Sequence, residues 1–338
     1  MASNSKPKSS KSHGDEAIEI INRYRLDAQD NFRVEALECE FPSLSRELNM
    51  NNIFLARAGD NLAGAFKWRG ALVGAIALQR QGAKSLVVPS AGNHARGAIL
   101  AAKLLDMEIH VVVPETAPPA KKEGLKDLWH SPKLHVHAVG KSFDESLEWA
   151  LAHPEYGELL HPYDNPYVAA GQGTIVDDIM KHICNVSDIV LPIGGGGLYA
   201  GVLSRVRELG LNATVHAIEA SGSNSFSKSI TSGKVTAADS PNARYGGSAV
   251  RRTGNNTLAT YLKYPKSTKI LKVSDEEVAS VIDGYTKDLA VRRGVRNYEP
   301  TTIVAVTGVT RIKRTHFLGN VVIIGTGHND SLQTSQKA

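Results

Sequence analysis

One pattern constrains this chain more than any other. A short apolar run, a polar turn and a helical stretch recur along its length. Ser85–Pro89 leads into Ser90–Asn93 and then into the helical stretch His94–Leu105. Glu108–Val113 precedes Pro118–Trp129, and Leu134–Val139 precedes Ser142–Leu151. Asp188–Ile193 meets four glycines before Leu198–Leu209, while Ala213–Ile218 and Asn320–Ile324 are further apolar runs. Strands alternating with helices build parallel βαβ units, and near-continuous apolar strands belong to sheets covered on both faces. The predicted fold class is therefore α/β, with open, mostly parallel sheets and helices on both faces. No period of 20–50 residues repeats, which argues against solenoids and propellers.

Such sheets bind ligands beyond the carboxyl ends of their strands. Three polar loops fall there: Ser90-Ala91-Gly92-Asn93-His94, Gly194-Gly195-Gly196-Gly197, and Gly325-Thr326-Gly327-His328-Asn329. Gly194–Gly197 lies between a strand and a helix, where backbone N–H groups and the helix start favour an anion. Four consecutive glycines cost too much chain entropy for a plain turn, so phosphate binding is the better reading. Gly195, Gly197 and Ala200 also satisfy G-x-G-x-x-[GA], with Glu219 near a ribose-binding position. On this segment alone a dinucleotide site competes. A Walker A loop does not, because no Gly-Lys-Ser/Thr follows.

Lys67 opens a predicted helix carrying Leu72 and Ile76. By itself it reads as a surface lysine. A helix start repels a cation, however, and burial there favours the neutral amine that a Schiff base requires.

Composition narrows the classes. Of 338 residues, 42% are hydrophobic and 22% charged, which excludes disordered, collagen-like and coiled-coil chains. The net charge of +5 invites a nucleic-acid reading. Lys6, Lys8 and Lys11, in an acid-free segment over 1–14, supply three of those charges, so no nucleic-acid partner is expected. That segment has no apolar stretch of a secretory signal and reads as a disordered basic tail. No apolar run approaches the roughly 18 residues of a membrane span. Cys39 and Cys184 are too few for a disulfide framework, which points to a reducing, cytoplasmic setting.

The ordered set of motifs carries more than any one of them. Phe66-Lys67-x-Arg69-Gly70-Ala71, then Ser90–His94, His161-Pro162-Tyr163-Asp164-Asn165-Pro166, Gly171-Gln172-Gly173-Thr174 and Gly194–Gly197 follow in turn. Gly247–Arg252, Val273–Glu277 and Tyr298-Glu299-Pro300 extend the series. In that order they resemble the pyridoxal-phosphate enzymes of the threonine/serine dehydratase family, within the tryptophan synthase β, or fold type II, superfamily. The resemblance covers roughly residues 20–330. It implies pyridoxal 5'-phosphate as cofactor and two lobes around it: residues 15–83 and 161–338 as the large domain, and 84–160 as a small mobile domain. It implies Lys67 as the Schiff-base lysine and the base at Cα, Phe66 beside the ring, and Asn93 on the cofactor's phenolic oxygen. Gly194, Gly195, Gly196 and Gly197 would hold the phosphate, and Thr326 would contact the pyridine nitrogen. Ser90, Ala91, Gly92, Asn93 and His94 would hold the carboxylate of a small amino-acid substrate. The implied reaction is β-elimination from threonine or serine, giving a 2-oxo acid and ammonia. A β-replacement or threonine-synthase-like reaction on an activated, for example phosphorylated, amino acid is the alternative. A homodimer is common among such enzymes. The dinucleotide reading recedes, because it gives no role to Lys67 or the Ser90–His94 loop.

Four departures from the family's pattern stand out. Ala91 stands where racemases of the family have a second serine, which argues against racemisation. Glu219 matches a cation-site position, but its expected acidic partner is Ser225, and Gly246 stands where an aspartate is usual. Thr326-Gly327-His328 is more similar to threonine synthase. No regulatory domain is visible. His135 and His137 alternate on one strand, yet no third ligand at metal spacing is evident, so a plain strand face is the expectation and no metal site is predicted. His182 and Cys184 read as packing at a helix end. Arg251 and Arg252 read as solvated or structural, with a substrate phosphate as the other use, and Arg96 stands close to the expected site.

Overall fold

The computed structural model describes residues 11–241, 243–291, 297–312 and 319–329. Its strands are β1 (Val34–Ala36), β2 (Ile53–Arg57), β3 (Ser85–Pro89), β4 (Glu108–Val113), β5 (Leu134–Ala138), β6 (Glu158–Leu159), β7 (Val186–Pro192), β8 (Thr214–Ala220), β9 (Thr268–Val273) and β10 (Asn320–Gly325). Its helices are α1 (His13–Tyr24), α2 (Leu37–Glu40), α3 (Pro42–Leu48), α4 (Lys67–Arg80), α5 (Asn93–Leu105), α6 (Pro119–Lys126), α7 (Phe143–Ala152), α8 (Pro166–His182), α9 (Gly197–Glu208), α10 (Ser225–Ser232), α11 (Asn255–Lys263), α12 (Asp275–Val291) and α13 (Pro300–Val309).

The strands form two sheets. One has the order β1-β2-β10-β7-β8-β9, and the other β5-β4-β3-β6. All neighbours run parallel except β1, which is antiparallel to β2. Apolar side chains on both faces explain this. Val321, Val322, Ile323 and Ile324 are all wholly buried, although successive residues point to opposite faces. Each such side chain contributes on the order of 1.5–3 kcal/mol of burial. The expected class, α/β with helices on both faces of mostly parallel sheets, is the one observed.

Helix α4 lies in the core, with Trp68 through Ala77 buried. Arg69 is wholly buried and reaches Asp30 at 2.7 Å and Asp178 at 2.6 Å, with Arg25 on both same carboxylates. Truncating one partner would strand a buried charge, at a cost of about 3–5 kcal/mol. Small residues let neighbours approach. A Cβ on Gly171 would meet Gly70 at 2.7 Å, and one on Gly97 would meet the Trp68 nitrogen at 2.8 Å. The Gly171-x-Gly173 motif is thus a packing device, and Gly97 lays α5 directly over the start of α4.

The expected tail over 1–14 needs correcting at its end. Ser12 Oγ accepts from Asp15 N at 3.1 Å, so helix begins at His13, and Gly14 is buried beside Arg205. A Ser cap followed by Asp15 and Glu16 in the first turn is a strong helix start that the lysine count obscured. Residues 1–10 lie outside the described residues. No helix among the described residues is long and apolar enough to cross a membrane.

Candidate active site

The loops after β2, β3, β7 and β10 all leave the carboxyl ends of their strands. Two tethers bring the first and last together. Phe66 N donates to the Thr326 carbonyl at 2.9 Å, and Ala65 bridges Gly327. Lys67 is therefore fixed as the first residue of α4, with the buried Phe66 before it.

The Lys67 Nζ donates to the Pro162 carbonyl at 2.9 Å and lies 5.3 Å from the Phe66 ring centroid. Burial of the amine pulls it from the usual lysine range down to about 8, and the Glu299 carboxylate works the other way. A usable fraction is neutral near physiological pH.

Glu299 is the residue that joins the site. One of its oxygens accepts from Thr326 Oγ1 at 2.7 Å, and the other accepts from Asn93 Nδ2 at 2.7 Å. Thr302 Oγ1 lies 2.9 Å from Thr326 Oγ1 and accepts from Thr326 N at 3.0 Å. Asn93 Oδ1 accepts from Asn329 Nδ2 at 2.9 Å. An amide has two N–H donors, so Asn93 keeps one for a ligand. Thr326 is buried with its single proton directed to Glu299.

The Ser90–His94 loop ends in α5, whose start at Gly92 has no side-chain cap. Ser90 Oγ accepts from Gly92 N at 3.2 Å and steadies the turn, and Ala91 is partly buried beside it. His94 is buried, and its Nε2 lies 2.8 Å from the Leu160 carbonyl. Burial, then the nearby Lys67, push it down to about 3, so the ring is neutral with Nε2 protonated and Nδ1 without a partner.

The glycine loop begins α9. Gly196 has φ +87°, a left-handed conformation that disfavours other residues, and no side chain caps the helix. Side chains would not fit in the loop. A Cβ on Gly195 would strike the Tyr163 ring, and one on Gly196 would strike Thr257. Gly194 and Gly197 are equally close to Ser248 and Tyr163.

The His161–Pro166 segment links the lysine to this loop. Pro162 receives Lys67, Tyr163 lies on Gly195, Asp164 accepts from Asn255 N and Asn256 N at the start of α11, and Asn165 caps α8. Burial drives His161 to about 4, and its neutral Nδ1 accepts from Asp164 N at 2.9 Å. Pro162 and Tyr163 thus touch Lys67 on one side and the glycines on the other. A surface cavity of about 290 Å³ lined by His13, Arg205, Asn256 and Lys263 lies elsewhere; its shifted groups are two cations held protonated, Arg205 by its hydrogen bonds to Asp177 and Asp15 and Lys263 by Tyr264.

These residues suit a pyridoxal phosphate. A desolvated amine stands at one end, and an uncapped glycine turn that excludes every Cβ stands at the other. The comparison with known proteins decides the lineage. Residues 38–327 match the family described as pyridoxal-phosphate dependent enzyme. The chain belongs to that family. Within it, a catabolic L-threonine dehydratase of Staphylococcus aureus is 38% identical over 178 residues, 52% of this chain and 50% of that one. An L-threonine ammonia-lyase of Geobacter sulfurreducens is 35% identical over 222 residues, 65% of this chain and 54% of that one. The chain thus spans about half the length of the curated relatives it matches. The processed threonine deaminase isoform 2 of Solanum lycopersicum superposes with TM-score 0.79 at 26% identity, over 98% of this chain and 89% of that one. For a pyridoxal-phosphate dependent enzyme, the cofactor expected from the sequence is the family's own.

Sequence reasoning missed Glu299 as a site residue, although a Glu-Pro pair at a helix start was a usable signal. It also left Asn329 and the Tyr163 contact unassigned. Arg96 is spent on the Ala63 carbonyl at 3.0 Å, and Arg251 and Arg252 are exposed. Glu219 accepts from Phe226 N at 2.8 Å and Ser227 N at 3.2 Å, which commits its carboxylate to the start of α10.

Proposed function

We propose that this chain is a pyridoxal-phosphate dependent ammonia-lyase that eliminates the β-hydroxyl of threonine or serine and yields a 2-oxo acid and ammonia. The observation that carries the reading is the desolvated Lys67 amine at a crevice where α5 and α9 start uncapped. Gly194–Gly197 would hold the phosphate with backbone amides, Phe66 would pack beside the ring, and Asn93 would offer its spare N–H to the phenolic oxygen. When bound, the cofactor supplies an electron sink for charge at the substrate Cα. Lys67 Nζ takes the Cα proton. The uncapped amides of Asn93 and His94 at the start of α5 and the Ser90 hydroxyl bind the carboxylate. Ala91 offers no hydroxyl for the opposite face of Cα, which favours elimination over racemisation. Thr326 cannot donate a full proton to the pyridine nitrogen as a carboxylic acid would. The cofactor would then be a weaker electron sink, which favours prompt loss of the leaving group. Residues 84–160 close over the substrate as a lobe, since all four strands of the smaller sheet fall within them. The protein works as a cytoplasmic homodimer.

Purified protein should show a visible absorption band that borohydride bleaches and Lys67→Ala abolishes. It should also release 2-oxo acid and ammonia from threonine or serine. Absence of the band would sink the cofactor reading. Product formed only with an added nucleophile would favour β-replacement, to which Thr326-Gly327-His328 inclines.

A further inference from the structure

We propose that Glu108, His110 and His135 form a binding site for a divalent transition-metal ion of the zinc type, with His137 orienting His110. The site stands apart from the crevice. Glu108 is the first residue of β4, whereas the crevice lies at the carboxyl ends of the strands. β4 and β5 run parallel with His110 opposite His135 and Val112 opposite His137. Side chains alternate along a strand, so Glu108, His110, His135 and His137 share one face.

Distances make this face more than a polar strip. Glu108 Oε1 lies 2.9 Å from His135 Nε2 and 3.5 Å from His110 Nε2. One ligand atom from each of the three residues falls within 4.8 Å of the others. Zinc bonds of about 2.0–2.1 Å in a tetrahedron set neighbouring ligand atoms about 3.3 Å apart, close to what is already present. The other nitrogen of His110, Nδ1, lies 3.0 Å from His137 Nε2. A ligating imidazole characteristically gives its second N–H to such an acceptor, which fixes the tautomer. With that proton on Nδ1, the His110 Nε2 lone pair faces a carboxylate oxygen. A cation between them turns repulsion into two bonds.

The rings are also held in place by one another. His110 stacks on His135 at 4.5 Å and on His137 at 5.3 Å. Tyr156 and Trp149 wall the cluster, 5.0 Å from His110 and 5.7 Å from His137. Two imidazoles and one carboxylate suit zinc with a fourth position open to water. Calcium and magnesium want more oxygen ligands. The ion would staple β5, at the edge of its sheet, to β4.

The test is calorimetric titration of the tag-free holoprotein with Zn2+ after chelator treatment and dialysis. One equivalent per chain should bind, and excess Zn2+ near a hundred times its dissociation constant should raise the melting midpoint by about 5 °C. Glu108→Gln and His135→Gln should each remove that equivalent and that rise. His137→Gln should keep the stoichiometry and weaken binding by about 10–100-fold. His182→Gln, on the exposed end of α8, should change nothing. The visible cofactor band and the metal-free melting midpoint report that each variant is folded, and half-exposed His135 sits on an edge strand that tolerates substitution. The proposal is overturned if wild type takes up no saturable zinc, or if folded Glu108→Gln and His135→Gln bind it as wild type does.

Discussion

Helices that start away from the crevice differ from those that start on it. Ser12 caps α1, Ser142 caps α7, and Asn165 caps α8. Glu219 takes the first amides of α10 and Asp164 those of α11. At the crevice, α4, α5, α9 and α13 start on Phe66, Gly92, Gly196 and Glu299 with no side-chain cap. An open start forgoes a side-chain cap for its first amides, a loss of roughly 1 kcal/mol for each missing cap. Two starts away from the crevice also lack a side-chain cap: α6 at Pro118 meets solvent, and α2 at Ala36 is a single turn of four residues. The difference teaches that the crevice keeps the positive ends of its long helices for anions brought from outside, while most other long helices neutralise their own.

The largest expected effect is on the crevice side. Lys67→Ala should abolish the borohydride-sensitive band and lower 2-oxo acid formation at least about 10³-fold, since base and attachment point are lost together. A band that survives would break the comparison at its centre.

Next comes Gly196→Ala. The left-handed φ of +87° costs an alanine about 1–2 kcal/mol, and its Cβ would collide with Thr257. The loop must shift, so cofactor affinity, read by fluorescence titration, should fall more than about tenfold, on the scale of one lost charge-assisted contact. Unchanged affinity would mean the open α9 start holds no phosphate.

A smaller effect concerns the charge beside the amine. Lys67 is protonated below about pH 8 and neutral above it, so capture of cofactor by apoprotein should accelerate as pH rises through that value. Glu299 holds the amine up, so Glu299→Gln should move the midpoint lower and speed capture a few-fold at neutral pH. Turnover should fall, because an amide cannot accept from both Asn93 and Thr326. Stopped-flow absorbance against pH checks both. A midpoint moving upward would contradict the assigned field.

Much of this was legible in the sequence because the signals are local. A glycine turn between an apolar run and a helix announces itself within fifteen residues, and so does a lysine at a helix start. What stayed hidden depends on register and long-range return. Glu299 meets Asn93 across 206 residues, through the docking of α13. His135 gains Glu108 and His110 only through the parallel pairing of β4 and β5, which no spacing along one strand encodes. The helix at His13 was hidden differently. The lysines drew the eye, while the Ser12–Asp15 cap was the local fact that mattered.

The smallest effect belongs to the capped side and is the sharpest control. Asn165 Oδ1 accepts from Tyr167 N at 2.9 Å and Val168 N at 3.1 Å, a complete cap within one residue of the segment that carries Tyr163 and Asp164. Asn165→Ala should cost about 1 kcal/mol in urea unfolding, the ordinary value of such a cap. Cofactor affinity should stay within twofold, because Asn165 Oδ1 serves the first amides of α8, and α8 remains held by its packing on α4 and α9. If affinity fell as far as in Gly196→Ala, capped and open helix starts would be one coupled device, and the distinction between self-neutralised and ligand-neutralised ends would fail.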